Sequence, residues 1–160
     1  MTAKPAPDPL GDRMKRDYES RTRYTLPRRT YTLLRADGKS FHTYTKHCAR
    51  PFDTELMADM DAAALALCEM CDGARLAFVQ SDEISVLLTD FEHPQTEAWF
   101  DGGVQKIASV AASIATAHFN AARAKRGDNR TDTLAFFDCR VWTIPSRTEV
   151  ANYLDRKSVV

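Results

Sequence analysis

Between residues 30 and 143 the chain alternates short runs of β-branched and aromatic residues with two long helical patterns, and the order of these segments restricts its topology more than any other feature. Residues 30–35 read as a first strand. Asp53 is placed to cap a helix running to about Cys71, with Leu56, Met60, Ala64, Leu67 and Cys71 on one face, and Asp72-Gly73 ends it. Residues 76–80 and 84–89 read as two strands joined by a tight turn at Ser81-Asp82-Glu83. After a break at His93-Pro94, a long helix is predicted over about residues 96–125, apolar at Val104, Ile107, Ala111, Ile114, Ala115 and Phe119. Gly102-Gly103 would lie inside its first turns, at about 1 kcal/mol each relative to alanine. A polar loop with Gly127 leads to a fourth strand over residues 134–143, and Ser146-Arg147-Thr148-Glu149 is a capping box that opens a last helix.

Strand, helix, strand, strand, helix, strand is the split β-α-β, or ferredoxin-like, order, an α+β antiparallel sheet with helices on one face. In such a sheet the first and third strands lie side by side at the centre. The end of strand one therefore meets the hairpin between strands two and three. At 160 residues the chain suits one domain, expected over residues 13–153, with a mobile proline-rich segment over 1–12 and an atypical tail over 154–160.

Two acidic elements occupy the ends that this topology joins. In the stretch from Leu33 to His42, an apolar run breaks into Asp37, Gly38 and a handful of polar groups. A strand end holds the Asp37 carboxylate in place, and Gly38 lets the backbone turn and approach a ligand with no Cβ in the way. Asp82 sits at the hairpin tip. Two carboxylates with a glycine carbonyl between them form a hard-oxygen site suited to Mg²⁺, and a pair of such ions about 3.5–4 Å apart would serve both the attacking and the leaving oxygen of a phosphoryl transfer. The amides of Gly38, Lys39, Ser40 and Phe41 are placed to hold a triphosphate, and Lys106, one turn into the long helix, to reach the same phosphates. These roles define phosphoryl or nucleotidyl transfer by positioning and charge neutralisation. Asp-Gly is also a common turn dipeptide and Ser-Asp-Glu an ordinary polar hairpin tip, so the pattern alone leaves a plain turn as the alternative.

The remaining features say less about chemistry. Lys and Arg balance Asp and Glu, so a polyanionic partner depends on where the charges lie. Residues 13–29 are rich in Arg and Lys interleaved with Tyr18 and Tyr24, either a solvated helix face or a surface for nucleic-acid phosphates. His42, His47, His93 and His118 show no ligand spacing. The Cys68-x-x-Cys71 pair falls inside an apolar helical pattern, with no second pair to complete the four ligands of zinc, and reads as core. No signal peptide or membrane-spanning stretch is visible, so the expected location is the cytoplasm.

At these residues the sequence resembles the tRNA-histidine guanylyltransferase family, and more closely its bacterial and phage branch of guanylyltransferase-like proteins that repair tRNA 5′ ends. The matching pieces include Leu10-Gly11-Asp12-Arg13, Leu26-Pro27-Arg28-Arg29, Arg35-Ala36-Asp37-Gly38-Lys39-Ser40-Phe41-His42, Gln80-Ser81-Asp82-Glu83, Gln105-Lys106-Ile107 and Phe137-Asp138-Cys139-Arg140. The resemblance implies a polymerase-palm-like domain that adds nucleotides in the 3′–5′ direction to the 5′ end of tRNA, with ATP and GTP as substrates. By position, Asp37, the Gly38 carbonyl and Asp82 would bind two Mg²⁺ ions, with Glu83 supporting them. Residues Asp37, Gly38, Lys39, Ser40, Phe41 and His42, with Ser81 and Asp82, would hold the nucleotide, and Lys106 would contact a triphosphate. Arg28 and Arg29 would touch tRNA, and the assembly would be a homo-oligomer, the family's tetramer. Family members continue past the Asn152-Tyr153 region with a Trp-Arg-Gln segment and an asparagine-bearing motif, where this chain has residues 154–160. Two other readings remain open: a non-catalytic Mg²⁺-nucleotide or RNA-binding palm, and a nucleotide cyclase on the same topology.

Overall fold

The structure, a computed structural model, describes residues 8–128 and 132–158. Its centre is an antiparallel four-stranded sheet in the order β2-β3-β1-β4, formed by β1 (Tyr31–Gly38), β2 (Ala74–Gln80), β3 (Glu83–Leu88) and β4 (Phe137–Ile144). This is the expected order, with β1 and β3 adjacent. β1 runs further than its apolar run suggests. Asp37 faces Glu83 on β3 and Asp138 on β4, and Gly38 still pairs with Phe137. A central strand continues for as long as its neighbours offer ladder partners, whatever its own propensity. Asp37 and Gly38 therefore belong to the sheet.

Helices α3 (Thr54–Met70) and α4 (Val104–Arg126) cover one face. Leu34 and Ala36 of β1 and Ile84 and Val86 of β3 meet Met60, Leu67, Ile107, Ala111 and Phe119 there, all essentially without exposure. Each large side chain so buried contributes about 1.5–3 kcal/mol. Asp53 caps α3 as expected, accepting from the Leu56 amide at 2.8 Å. Leu33 points to the opposite face, where it packs with Leu87 against Val150 of α5 (Arg147–Ser158), flanked by Trp142 and Tyr153. The expectation of helices on one face alone is thus corrected: α5 covers part of the second. Ser146 accepts from the Glu149 amide at 3.3 Å, while the Glu149 carboxylate takes its bond from Asn152 instead of returning to the cap.

One further expectation changes. The long helix begins at Val104, not near residue 96. Gly102 has φ +70° and its carbonyl accepts from Leu26, and the Val104 amide donates to Tyr24. The glycine pair therefore turns the chain into the helix instead of weakening its first turns, and Trp99–Gly102 forms a separate turn in which Phe100 and Asp101 have left-handed backbone angles. At the other terminus, residues 9–12 of the expected N-terminal segment belong to an exposed helix, α1 (Pro9–Asp17), with no buried residue: Asp8 caps the Gly11 amide at 2.9 Å and Pro9 opens the helix. The rest of the expected mobile segment, residues 1–7, lies outside the described residues, as do 159–160 of the tail; residues 154–158 of that tail belong to α5.

All four cysteines are free, and burial pushes the Cys71 and Cys139 thiols up to about 12, as inert core groups. Among the described residues no helix is long and apolar enough to cross a membrane.

Candidate functional site

The site forms where β1 ends beside the β2–β3 hairpin. Gln80 and Glu83 are paired, so the hairpin is a two-residue turn of Ser81 and Asp82, with Ser81 at φ +54°. The Gly38 amide donates to the Asp82 carbonyl at 3.0 Å and ties the tip to the end of β1. Asp37 and Asp82 are thus brought together, as the topology required. Burial and the Asp82 charge, in that order, push the Asp37 carboxyl above its ordinary value; Asp138 adds to this, while Arg35 and Arg140 oppose it.

That electrostatic imbalance is an observation on which a cation can be tested. A carboxylate whose ionisation is disfavoured by burial and by a neighbouring charge is relieved by a divalent ion beside it. Among the described residues no set of three or more His, Cys, Asp or Glu side chains converges on a metal position. The protein's own donors are therefore two carboxylates and backbone carbonyls, leaving the other positions to phosphate and water. Mg²⁺ is usually held in this way, by one or two carboxylates with substrate phosphates. The residues present fit that ion.

Gly38 is required sterically. A Cβ there would lie 2.3 Å from the Phe41 ring. Phe41 opens the short helix α2 (Phe41–Tyr44) and is buried, stacked on Tyr44 at 5.0 Å and in contact with Phe119 and Phe137. Its side chain supports the loop from the core side. The expected amide cradle is also reduced: the Gly38 amide is committed to Asp82 and the Lys39 amide to the Phe136 carbonyl at 2.8 Å. Ser40, at φ +55°, begins α2, and the Lys39, Ser40, His42 and Ser81 side chains are exposed around the carboxylates.

Beside this point opens a cleft of about 960 Å³, between α2, the loop 48–53, the first half of α3 and the hairpin tip. His42, Arg50, Phe52, Met57 and Asp82 line it, with Phe52 75% and Met57 51% exposed. An apolar wall with a few polar groups at one end, at the upper end of the usual volume range for small-molecule sites, suits a mononucleotide. Arg50, Phe52 and Met57 escaped the sequence reading. The one signal was an aromatic beside Pro51, immediately before a helix cap, at a place where no packing period applies.

Three expected site residues lie elsewhere. Lys106 is in the first turn of α4, with Nζ 4.6 Å from the Phe100 ring centroid, beside the Tyr24–Leu26 segment that leads to β1. The opposite half of α4 meets the site: Thr116 accepts from the Phe137 amide, and Phe119 touches Phe41. Ten helical residues separate Lys106 from Thr116, about 15 Å. Arg28 is bound to Asp90 at 2.6 Å and to the Thr96 carbonyl at 2.9 Å, and Arg29 reaches the Pro94 carbonyl at 2.7 Å. Both fasten the loop after β3 to the start of β1. Glu83 sits opposite Asp37, with Arg35 Nη1 at 3.5 Å.

The chain matches, over residues 11–145, the family described as Thg1, tRNAHis guanylyltransferase. It is similar to the tRNA(His) guanylyltransferase of Eremothecium gossypii, 31% identical over 145 residues that cover 87% of this chain and 58% of that one. Among solved structures, it is 46% identical to a bacterial tRNA(His) guanylyltransferase (Thg1)-like protein in complex with GTP, with a TM-score of 0.83 over 91% of this chain and 63% of that one. The same kind of protein in complex with ATP gives a TM-score of 0.84 at 46% identity, over 90% and 61%. The chain spans about half the length of the curated relatives it matches.

Proposed function

This chain belongs to the tRNAHis guanylyltransferase family, and we propose that it is a Mg²⁺-dependent nucleotidyltransferase that adds nucleotides in the 3′–5′ direction to the 5′ end of tRNA, with GTP and ATP as substrates. The observation that carries this reading is the pair Asp37 and Asp82, joined through the Gly38 amide, with Asp82 lining a nucleotide-sized cleft. The nucleotide lies with its base along Phe52 and Met57 and its phosphates toward the carboxylates. Asp37, Asp82 and the Gly38 carbonyl hold two Mg²⁺ ions, which when bound offset phosphate charge and favour ionisation of an attacking hydroxyl. Ser40, His42 and Ser81, exposed around that point, orient the phosphates, and Glu83 on the strand beside Asp37 keeps the local field negative enough to retain a cation. Lys39 supplies positive charge at the loop. The chain works as a homo-oligomer; a monomer in size-exclusion chromatography at tens of micromolar would remove that part.

The test is incorporation of labelled GTP into a tRNA lacking its first 5′ nucleotide, supplied as the 5′-monophosphate and as the 5′-triphosphate. Product from both marks a complete enzyme. Product from the triphosphate alone assigns 5′ activation to the part of the relatives that this chain does not span. Mg²⁺-dependent GTP binding with no product from either would replace the proposal with a binding function on the same site.

A further inference from the structure

The end of β1 rests on a cluster of rings, and one guanidinium holds that cluster in place. Phe41 fills the space under Gly38, where a Cβ would lie 2.3 Å from its ring. Tyr44, three residues on in α2, stacks on Phe41 at 5.0 Å, and its amide donates to the Ser40 carbonyl at 3.2 Å. Phe119 of α4 closes the cluster, 5.6 Å from Phe41 and 5.9 Å from Tyr44. Apolar packing is non-directional, so stacked rings can slide, whereas a hydrogen bond to the ring's hydroxyl pins it.

Arg123 supplies that bond. It follows Phe119 by one helical turn, on the same side of α4, and is only 7% exposed. Its Nη1 donates to the Tyr44 hydroxyl at 2.7 Å and to the Thr133 carbonyl at 2.9 Å, and its Cζ lies 5.5 Å from the Tyr44 ring centroid. Asp128 brings a carboxylate oxygen to 3.7 Å from Nε, which offsets the buried charge. Thr133 begins the run that passes the other flank of the site. There the Asn120 side chain holds both backbone groups of Ala135, Thr116 accepts from the Phe137 amide, and the Phe136 carbonyl takes the Lys39 amide at 2.8 Å. Arg123 thus grips both walls of the loop that follows β1, α2 on one side and residues 133–137 on the other. Burying a charge here gains little stability over an apolar side chain of similar volume. What it adds is direction.

We propose that Arg123 is a positioning residue of the nucleotide site: through Tyr44 and Phe41 it sets where the end of β1 presents the Asp37 carboxylate and the Gly38 carbonyl. The inference rests on the nucleotidyltransferase reading, and it adds a residue that touches neither nucleotide nor cation. Metal affinity depends on how firmly the ligands are held by the groups behind them, so loss of this grip weakens cation binding first.

The experiment measures, on the full chain, the Mg²⁺ concentration that half-saturates binding of a fluorescent GTP analogue, for the wild type, Tyr44→Phe, Arg123→Lys and Arg123→Gln. Arg126→Met is the comparison, because Arg126 leaves the same end of α4 toward Asp59 of α3, and its loss loosens the helix pair without releasing Tyr44. Tyr44→Phe keeps the ring stack and removes only the acceptor. Its half-saturating Mg²⁺ should rise at least about fivefold, with binding restored at saturating Mg²⁺. Arg123→Gln should shift it at least as far, Arg123→Lys, which keeps a charged donor, less far, and Arg126→Met by no more than about twofold. Amide exchange on the metal-free chain, followed by mass spectrometry, should be at least about threefold faster over residues 38–48 in Tyr44→Phe and unchanged over α3. An unaltered Mg²⁺ dependence in Tyr44→Phe overturns the proposal whatever the exchange shows, as does an equal shift in Arg126→Met. If the wild type binds no GTP analogue at any Mg²⁺ concentration, the nucleotidyltransferase reading falls and this inference with it; wild-type binding with unaltered variants removes this inference alone.

Discussion

At Gly38 a single added carbon would lie 2.3 Å from the buried Phe41 ring, so the end of β1 is held by a steric fit that only glycine provides. Gly38→Ala must displace either that ring, with its contacts to Tyr44, Phe119 and Phe137, or the strand end that carries Asp37. Overpacking of this kind costs about 1–3 kcal/mol, and urea denaturation should show it together with a loss of GTP affinity larger than the stability change explains. A variant that binds GTP like the wild type would mean the loop adapts freely. Asp37 behaves differently, because its folded-state carboxyl titrates above the ordinary value. The folded protein holds that proton more tightly than the unfolded chain does, so stability falls as pH rises from the ordinary carboxylate value through the raised one. Above that window the ionised group is a cost borne by the metal-free protein. Asp37→Asn should therefore unfold at higher urea than the wild type at pH 7 in EDTA, the difference should shrink as the pH is lowered below the window, and nucleotide incorporation should drop by at least about a hundredfold. Equal or lower stability of the variant at pH 7 would show that Arg35 and Arg140 already balance the charge.

At the level of elements, α3 and α4 are joined by more than apolar contact. Arg126 near the end of α4 donates twice to Asp59 of α3, at 2.6 and 2.7 Å, and Asp59 is only 1% exposed. Removing one partner of a buried pair leaves the other charge uncompensated, so Arg126→Met should destabilise by about 3 kcal/mol, whereas Arg126→Met with Asp59→Leu should recover most of the loss. A single variant within about 0.5 kcal/mol of the wild type in urea would show that water reaches Asp59. Nothing in the sequence marked this pair, because Asp59 lies among apolar residues of α3 and its partner comes from another helix. The order of elements was legible, since helical and alternating patterns change at turn residues. Their ends were less so: the extension of β1 to Gly38 depends on Glu83 and Phe137 as ladder partners, and the start of α4 on the hydrogen bonds of Leu26 and Tyr24. Lys106 has its place fixed by the same strand order. The topology that joins Asp37 to Asp82 also makes β3 run away from them, so the helix that follows must begin at the far end of the sheet and return.

The molecule as a whole has an opening on each side of the sheet, an apolar cleft on the α3 side that reaches Asp82 and a groove beside α5 that holds Arg35 and Arg156. A formal net charge of zero conceals this division, since acids cluster at the sheet end and arginines behind them. The Asp37–Asp82 pair was legible because it follows from strand order and two short motifs. The cleft and groove were not, because their walls are assembled from elements that only the fold brings together. If the cleft and the carboxylates act as one site, GTP and Mg²⁺ must stabilise the chain jointly. Ligand at a hundred times its dissociation constant adds about 2.7 kcal/mol to the folded state. For a domain of this size that raises Tm by about 5–10 °C. GTP in EDTA, or Mg²⁺ alone, should shift it by less than about 2 °C, and Asp82→Ala should remove the joint shift while Phe52→Ala reduces it. An equal rise with GTP in EDTA would separate the cleft from the carboxylates, leaving a nucleotide site with no reason to stand where β1 ends.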